Sequence, residues 1–170
     1  EEYGVFLEDD QTLKKGTVKN ILNKRSHILL LVKNQIGLKN IFQLITSSYK
    51  KENFYRYPRI DLELLKNHKD GLIATSSCLG GIYGILYLQY RQYGEDKVIE
   101  ELRNITNLML NIFGENWYGE LQWNSITEQH ILNQYVIQLS QEFGFKLVTT
   151  VDFHYPKKEL WKDREIYKRL

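Results

Sequence analysis

Along the chain, short continuous apolar runs alternate with longer stretches in which apolar residues return every three or four positions. Residues 27–33 form a compact apolar run without alternation, the pattern of a buried strand. Beyond Gly37, the positions Leu38, Ile41, Phe42, Leu44, Ile45 and Tyr49 keep a helical period and predict a helix ending near Lys51. Residues 71–76 predict a second strand. It runs into Cys78-Leu79-Gly80-Gly81, whose paired glycines permit a sharp turn, and a helix follows to about Arg91. A helix over 95–113 carries Val98, Leu102, Ile105, Leu108, Met109 and Ile112 on one side and closes at Gly114.

Residues 117–123 predict a third strand. Ser125-Ile126-Thr127-Glu128 has the form of a capping box, opening a helix through Ile131, Leu132, Tyr135, Val136 and Leu139 that stops at Gly144. Residues 145–151 predict the fourth strand, leading into Asp152-Phe153-His154-Tyr155, while residues 9–16 are polar and turn-like. Strands separated by helices in this way are the pattern of parallel βα units, so the expected class is α/β. Functional groups in such folds collect at the carboxyl ends of strands. Cys78 lies just past the second strand, and Asp152 and His154 just past the fourth.

Composition narrows this reading. A chain of 170 residues, 42% apolar and 13% aromatic, has enough material for one core, and no internal boundary interrupts it. The 23 Lys and Arg against 21 Asp and Glu leave a net charge of +2, far from the basic excess that announces a nucleic-acid surface. One cysteine excludes an internal disulfide framework and fits a reducing compartment. The apolar runs are too short to span a bilayer and the acidic start is no signal peptide, so the expectation is a soluble, cytoplasmic protein without a membrane partner. The chain opens without Met and closes on a helical stretch with no stop signal, which predicts a piece cut from something longer.

Several residues could carry chemistry. In an extended segment Asp152 and His154 point to one side and can chelate one ion; the alternative is a helix-capping Asp and a His bonded to backbone. Cys78 is either a thiolate ligand or a small buried hydrophobe. His27 stands where a strand starts, a position usually structural. His68 and His130 read as solvated, and Glu120 faces either a pocket or solvent. There is no Gly-rich phosphate loop, Gly-x-Ser-x-Gly elbow or paired CxxC pattern. The residues alone therefore give an α/β domain with a candidate mixed Asp, His and Cys metal site, and no named reaction.

Two strings go further: Arg56-Tyr57-Pro58-Arg59-Ile60-Asp61-Leu62-Glu63-Leu64-Leu65, and Gly71-Leu72-Ile73-Ala74-Thr75-Ser76-Ser77-Cys78-Leu79-Gly80-Gly81. Both closely resemble the polymerase and histidinol phosphatase (PHP) domain of DNA polymerase III alpha subunits. The stretch from His27 to Asn34 with Gly37-Leu38-Lys39-Asn40, then Glu120-Leu121-Gln122, Val151-Asp152-Phe153-His154-Tyr155 and Trp161-Lys162-Asp163-Arg164-Glu165-Ile166, agree in order and spacing. The likeness covers nearly the whole chain.

The resemblance implies a partial TIM-like barrel, the distorted seven-stranded β/α barrel of the PHP type. Residues 1–170 would then be a single domain, a fragment of a PHP domain lacking its first βα units. It implies divalent metal ions, zinc, manganese or magnesium, on the carboxyl face, with His27, Cys78, Asp152 and His154 as ligands. Tyr3 in a remnant Gly-x-Glu-x-Tyr motif makes Glu1 a further ligand, or Glu2 if the register slips by one. Arg59 takes a catalytic position, orienting a ligand or meeting a phosphate. The function implied is part of a replicative DNA polymerase III alpha subunit, this domain being a metal-binding 3′–5′ exonuclease or phosphoesterase module. The alternatives are a stand-alone PHP phosphoesterase or a catalytically degenerate scaffold. The implied partners are DNA, deoxynucleotides through missing polymerase domains, a proofreading exonuclease subunit and a sliding clamp. This chain departs from the family pattern in lacking the first His-x-His motif with a further Asp and His, in Arg164 where many relatives carry His, and in Val151 where Asn is frequent.

Overall fold

The computed structural model describes residues 26–55, 57–151, 153 and 155–169. The turn expected over 9–16 lies outside the described residues. Strand β1 (Leu29–Val32) leads to helix α1 (Gln35–Ser48), a small hairpin of β2 (Phe54–Tyr55) and β3 (Tyr57–Pro58), and α2 (Leu62–Asn67). Strand β4 (Leu72–Thr75) is followed by α3 (Ile82–Tyr90) and α4 (Glu95–Phe113), then β5 (Trp117–Gln122), α5 (Thr127–Phe143), β6 (Lys146–Thr150) and α6 (Trp161–Tyr167). The hairpin and α2 were not anticipated, being too short to show a period.

Local chemistry sets most boundaries. Asn34 caps α1, its side-chain oxygen accepting from the N–H groups of Ile36 and Gly37 at 3.0 Å. Asp61 does the same for α2 by accepting from Leu64 N–H at 2.7 Å. Helix α4 opens on Glu95 and Asp96, which complement its dipole, and ends where expected at Gly114, whose φ of +55° suits a residue without a Cβ. The capping box expected at the start of α5 is not formed. Ile126 holds the N-cap position and no side chain caps the helix. Asn124 Oδ1 instead accepts from Ile126 N–H at 2.9 Å, a local turn that takes the chain past Ser125 before the helix begins.

The main sheet has the order β1-β4-β5-β6. The α/β class holds, but not the uniform parallel direction. β4, β5 and β6 are parallel, whereas β1 is antiparallel to β4 with Leu29 opposite Thr75 and Val32 opposite Leu72. The chain between them leaves and returns at one end of the sheet, where Lys33 N–H donates to Gly71 O at 2.8 Å, so the two strands must run in opposite senses. Apolar runs report burial and carry no direction.

Helices α3, α4 and α5 cover one face of this sheet and close the core with Leu72, Ala74, Trp117, Leu102, Met109 and Val136. Packing is tightest at Gly119, where a Cβ would come within 2.7 Å of Val136 Cγ1 and of the Phe145 ring. One polar triad lies inside. Trp117 Nε1–H donates to Tyr83 Oη at 3.2 Å, Tyr83 and Thr106 share a hydrogen bond at 2.8 Å, and Thr106 Oγ1 donates to Leu102 O at 2.6 Å. Burial pushes the Tyr83 phenol up to about 12, so the hydroxyl stays protonated in ordinary buffers. Tyr83→Phe leaves the buried Trp117 N–H without its acceptor and is expected to cost about 1–3 kcal/mol. Urea unfolding checks this: the midpoint should fall at unchanged slope, and an unshifted midpoint would show that the triad adds nothing to stability.

Candidate metal centre

Strands β4, β5 and β6 all end at one edge, at Thr75, Gln122 and Thr150. Because β1 runs the other way, its first residue meets the last residue of β4, and the segment preceding β1 lies at this same edge. His27 is in that segment. It forms a parallel bridge with Gly81, and its N–H donates to Gly80 O at 2.7 Å.

Cys78 arrives at the edge from the other side, in the turn between β4 and α3. Ser77 before it holds φ at +61°, an uncommon conformation for a residue with a side chain. Gly81 N–H donates to Cys78 O at 2.7 Å, and Gly80 N–H to Cys78 Sγ at 3.4 Å. A Cβ placed on Gly80 would lie 3.2 Å from His27 Nδ1 and 3.6 Å from Cys78 Sγ. The imidazole and the thiol therefore both lie beside a single backbone position, the ring exposed and the thiol half-buried. They form a borderline-soft donor pair of the kind that suits zinc-like ions. The buried Gln122 Oε1, at the end of β5, is an acceptor with no hydrogen-bond partner among the described residues. These features fit a cation at the edge. Among the described residues no group of three or more His, Cys, Asp or Glu comes together. Glu1, Glu2, Asp152 and His154 lie outside the described residues.

Arg59 is half-buried on the connection between β3 and α2. His68 closes α2, its Nδ1 2.9 Å from Leu64 O, and His130 Nε2 is 2.6 Å from Asn124 O with its ring against Trp123. Both have structural partners.

The residue that sequence reasoning left undecided is Glu120. It is 4% exposed and faces inward. Its carboxylate accepts from the hydroxyl of Thr75, from Thr150 Oγ1 at 2.6 Å and from Gln122 Nε2 at 3.0 Å. Burial pushes its pKa up, but the donors on Thr150, Thr75, Gln122 and the Ser77 backbone outweigh that and hold it below the ordinary carboxylate range. A second polar chain reaches the same turn from the helix side. Leu79 N–H donates to Gln129 Oε1 at 3.1 Å, Gln129 Nε2 to Asn133 Oδ1 at 3.0 Å, and Asn133 Nδ2 to Gln122 O at 2.9 Å. Gln129 and Asn133 were missed. Their signal was available, since they sit on the same stripe of α5 as buried Leu132 and Val136.

A family model described as the PHP domain matches residues 4–124 of this chain. A DNA polymerase III subunit alpha of Aquifex aeolicus is 40% identical over 146 residues, 85% of this chain and 12% of its own length. That of Borreliella burgdorferi is 38% identical over 78% of this chain and 11% of its own length, and that of Thermus aquaticus 36% identical over 96% and 13%. The chain thus spans only about an eighth of the length of the curated relatives it matches.

The depressed pKa of Glu120 makes stability depend on acid. The unfolded chain binds a proton more readily than the folded one, so the contribution is full above the ordinary glutamate value of about 4.3 and is lost as the pH falls through the lower folded value. Urea midpoints of the wild type and Glu120→Gln are expected to converge as the pH drops through that window. A gap that stays constant into acid would mean that Glu120 is not ionised in the folded protein.

Proposed function

The chain belongs to the PHP domain family, and from that premise we propose that it is the metal-binding module of a replicative DNA polymerase III alpha subunit, acting as a 3′–5′ exonuclease on DNA. DNA-directed DNA synthesis is performed by domains outside this chain. The observation that carries the metal-dependent part is the placement of His27 Nδ1 and Cys78 Sγ beside the one position that a Gly80 Cβ would take, at 3.2 and 3.6 Å, at the edge where the parallel strands end. Likeness to alpha subunits over 78–96% of the chain supports the polymerase assignment.

On this reading His27, Cys78, Asp152, His154 and Glu1 hold divalent ions, and the sheet is part of a seven-stranded barrel whose carboxyl face forms the site. Zinc, manganese or magnesium, when bound, polarises a phosphoryl oxygen and makes water easier to deprotonate. The chain's own residues do the positioning. The bare backbone of Gly80 keeps room between ring and thiol, and Arg59 supplies a permanent positive charge for the phosphate of the strand being cut. DNA, deoxynucleotides, a proofreading subunit and a sliding clamp are the partners this assignment brings, in the cytoplasm. Among the described residues no helix is long and apolar enough to cross a membrane.

The test uses the full-length protein, with metal content, primer extension and 3′–5′ degradation of single-stranded DNA measured on one preparation. His154→Ala is expected to lower metal content and nuclease rate while leaving nucleotide addition intact. Gly80→Ala, whose methyl would crowd His27 Nδ1 at 3.2 Å, is expected to weaken metal binding in a folded protein. Primer extension and bound metal without degradation would make the domain a scaffold, degradation without primer extension a stand-alone phosphoesterase, and an unchanged metal content in His154→Ala would remove that ligand.

A further inference from the structure

We propose that Glu120 is a positioning residue that sets the two segments bearing the ligand candidates, the turn of Cys78 and the chain leaving β6, from one carboxylate in the central strand. The inference rests on the metal-centre reading for its functional meaning and on the hydrogen-bond geometry for its substance.

Glu120 is on β5, flanked by β4 on one side and β6 on the other. Each neighbouring strand ends on a threonine, and both hydroxyls donate to this carboxylate: Thr75 to Oε2 and Thr150 to Oε1, the latter at 2.6 Å. Thr75 passes the constraint on, because its Oγ1 accepts from Ser77 N–H at 3.3 Å, and Ser77 is the positive-φ residue immediately before Cys78. The backbone of Glu120 adds a second tie to the same turn, its N–H donating to Ser76 Oγ at 2.8 Å. On the other side Thr150 is the last residue of β6, two positions before Asp152 and four before His154.

A carboxylate is the only side-chain group of this size that accepts on both oxygens. It can therefore receive both threonine hydroxyls at once, with Gln122 Nε2 as a third donor at 3.0 Å. Glutamine has the same shape but offers one acceptor and one donor. Glu120→Gln sets its amide against the donor from Thr150, Gln122 or Thr75, so one strand end loses its register with the others. A group that merely glued the sheet would need no such symmetry, and its loss would be felt throughout the core.

The full-length protein tests this with Glu120→Gln and with an apolar replacement, Thr75→Val, Glu120→Leu and Thr150→Val together. Zinc affinity is read by chelator competition, and amide hydrogen exchange is read on metal-free protein. The expected result is a zinc affinity about 10- to 100-fold weaker in Glu120→Gln, as for other groups that orient ligands from behind. Exchange should rise by a larger factor in peptides spanning 76–81 and 150–155 than in peptides of α4, which report the change in global stability. The apolar replacement should recover global stability and not affinity. Wild-type affinity in Glu120→Gln, recovered affinity in the apolar replacement, or exchange raised by the same factor in α4 as in the two segments would each overturn the proposal. If the triple variant does not fold, the exchange pattern of Glu120→Gln decides. A wild-type protein that binds no zinc, manganese or magnesium would sink the metal-centre reading instead, leaving the exchange comparison to judge Glu120 by itself.

Discussion

Pairing β1 antiparallel to β4, with Leu29 opposite Thr75, brings the start of one strand to the finish of its neighbour, and the candidate site is built on that meeting. β1 is four residues long, about 13 Å at roughly 3.3 Å per residue. Had it run parallel, His27 would lie at the far edge, beyond the reach of Cys78. A separate parallel bridge from His27 to Gly81, with the hydrogen bond to Gly80 O, ties the segment before β1 to the turn. The pairing of the edge strand thus brings imidazole and thiol to one edge, and the turn that carries the thiol is held there by further ties.

A turn placed this way must be held against its own preferences, since Ser77 with φ at +61° is a conformation the chain would leave if it could. Two polar routes hold it. From the sheet, Glu120 reaches it through Thr75; from the helical layer, Gln129 accepts from Leu79 N–H. They converge on Gln122, which donates to Glu120 through its side chain and accepts from Asn133 on its backbone oxygen. Buried polar groups cost free energy unless their partners are present, so a network of this kind discriminates strongly between one arrangement and its near neighbours. The core behind it, dominated by Leu102, Ile105, Met109 and Leu139, supplies stability without fixing the edge.

This division accounts for what the sequence disclosed. Helix α4 was legible nearly to the residue, because a stripe of apolar positions and a terminal glycine are local signals, and the four strands of the sheet were legible within a residue or two. Strand direction was not, being a property of the path between β1 and β4. The face of Glu120 was undecidable for a different reason. β5 is a central strand buried on both sides, so the alternation that separates inside from outside in a half-exposed strand is missing. Cys78 and His27 could be named as ligand types, the second only by resemblance, but their shared neighbour Gly80 is a fact of pairing that no spacing in the chain encodes.

Charge completes the account by what it does not supply. With 23 basic and 21 acidic side chains, the chain has no strong field to draw a polyanion toward it. Affinity built on neutralising many phosphates needs such an excess. An edge with a mixed imidazole and thiol pair, and a buried acceptor on Gln122 without a partner among the described residues, offers contact chemistry instead, donor atoms for a bound ion. Precision at the edge therefore comes from a hydrogen-bonded network, Glu120 with Thr75 and Thr150 on one side and Gln129 with Asn133 on the other, rather than from net charge.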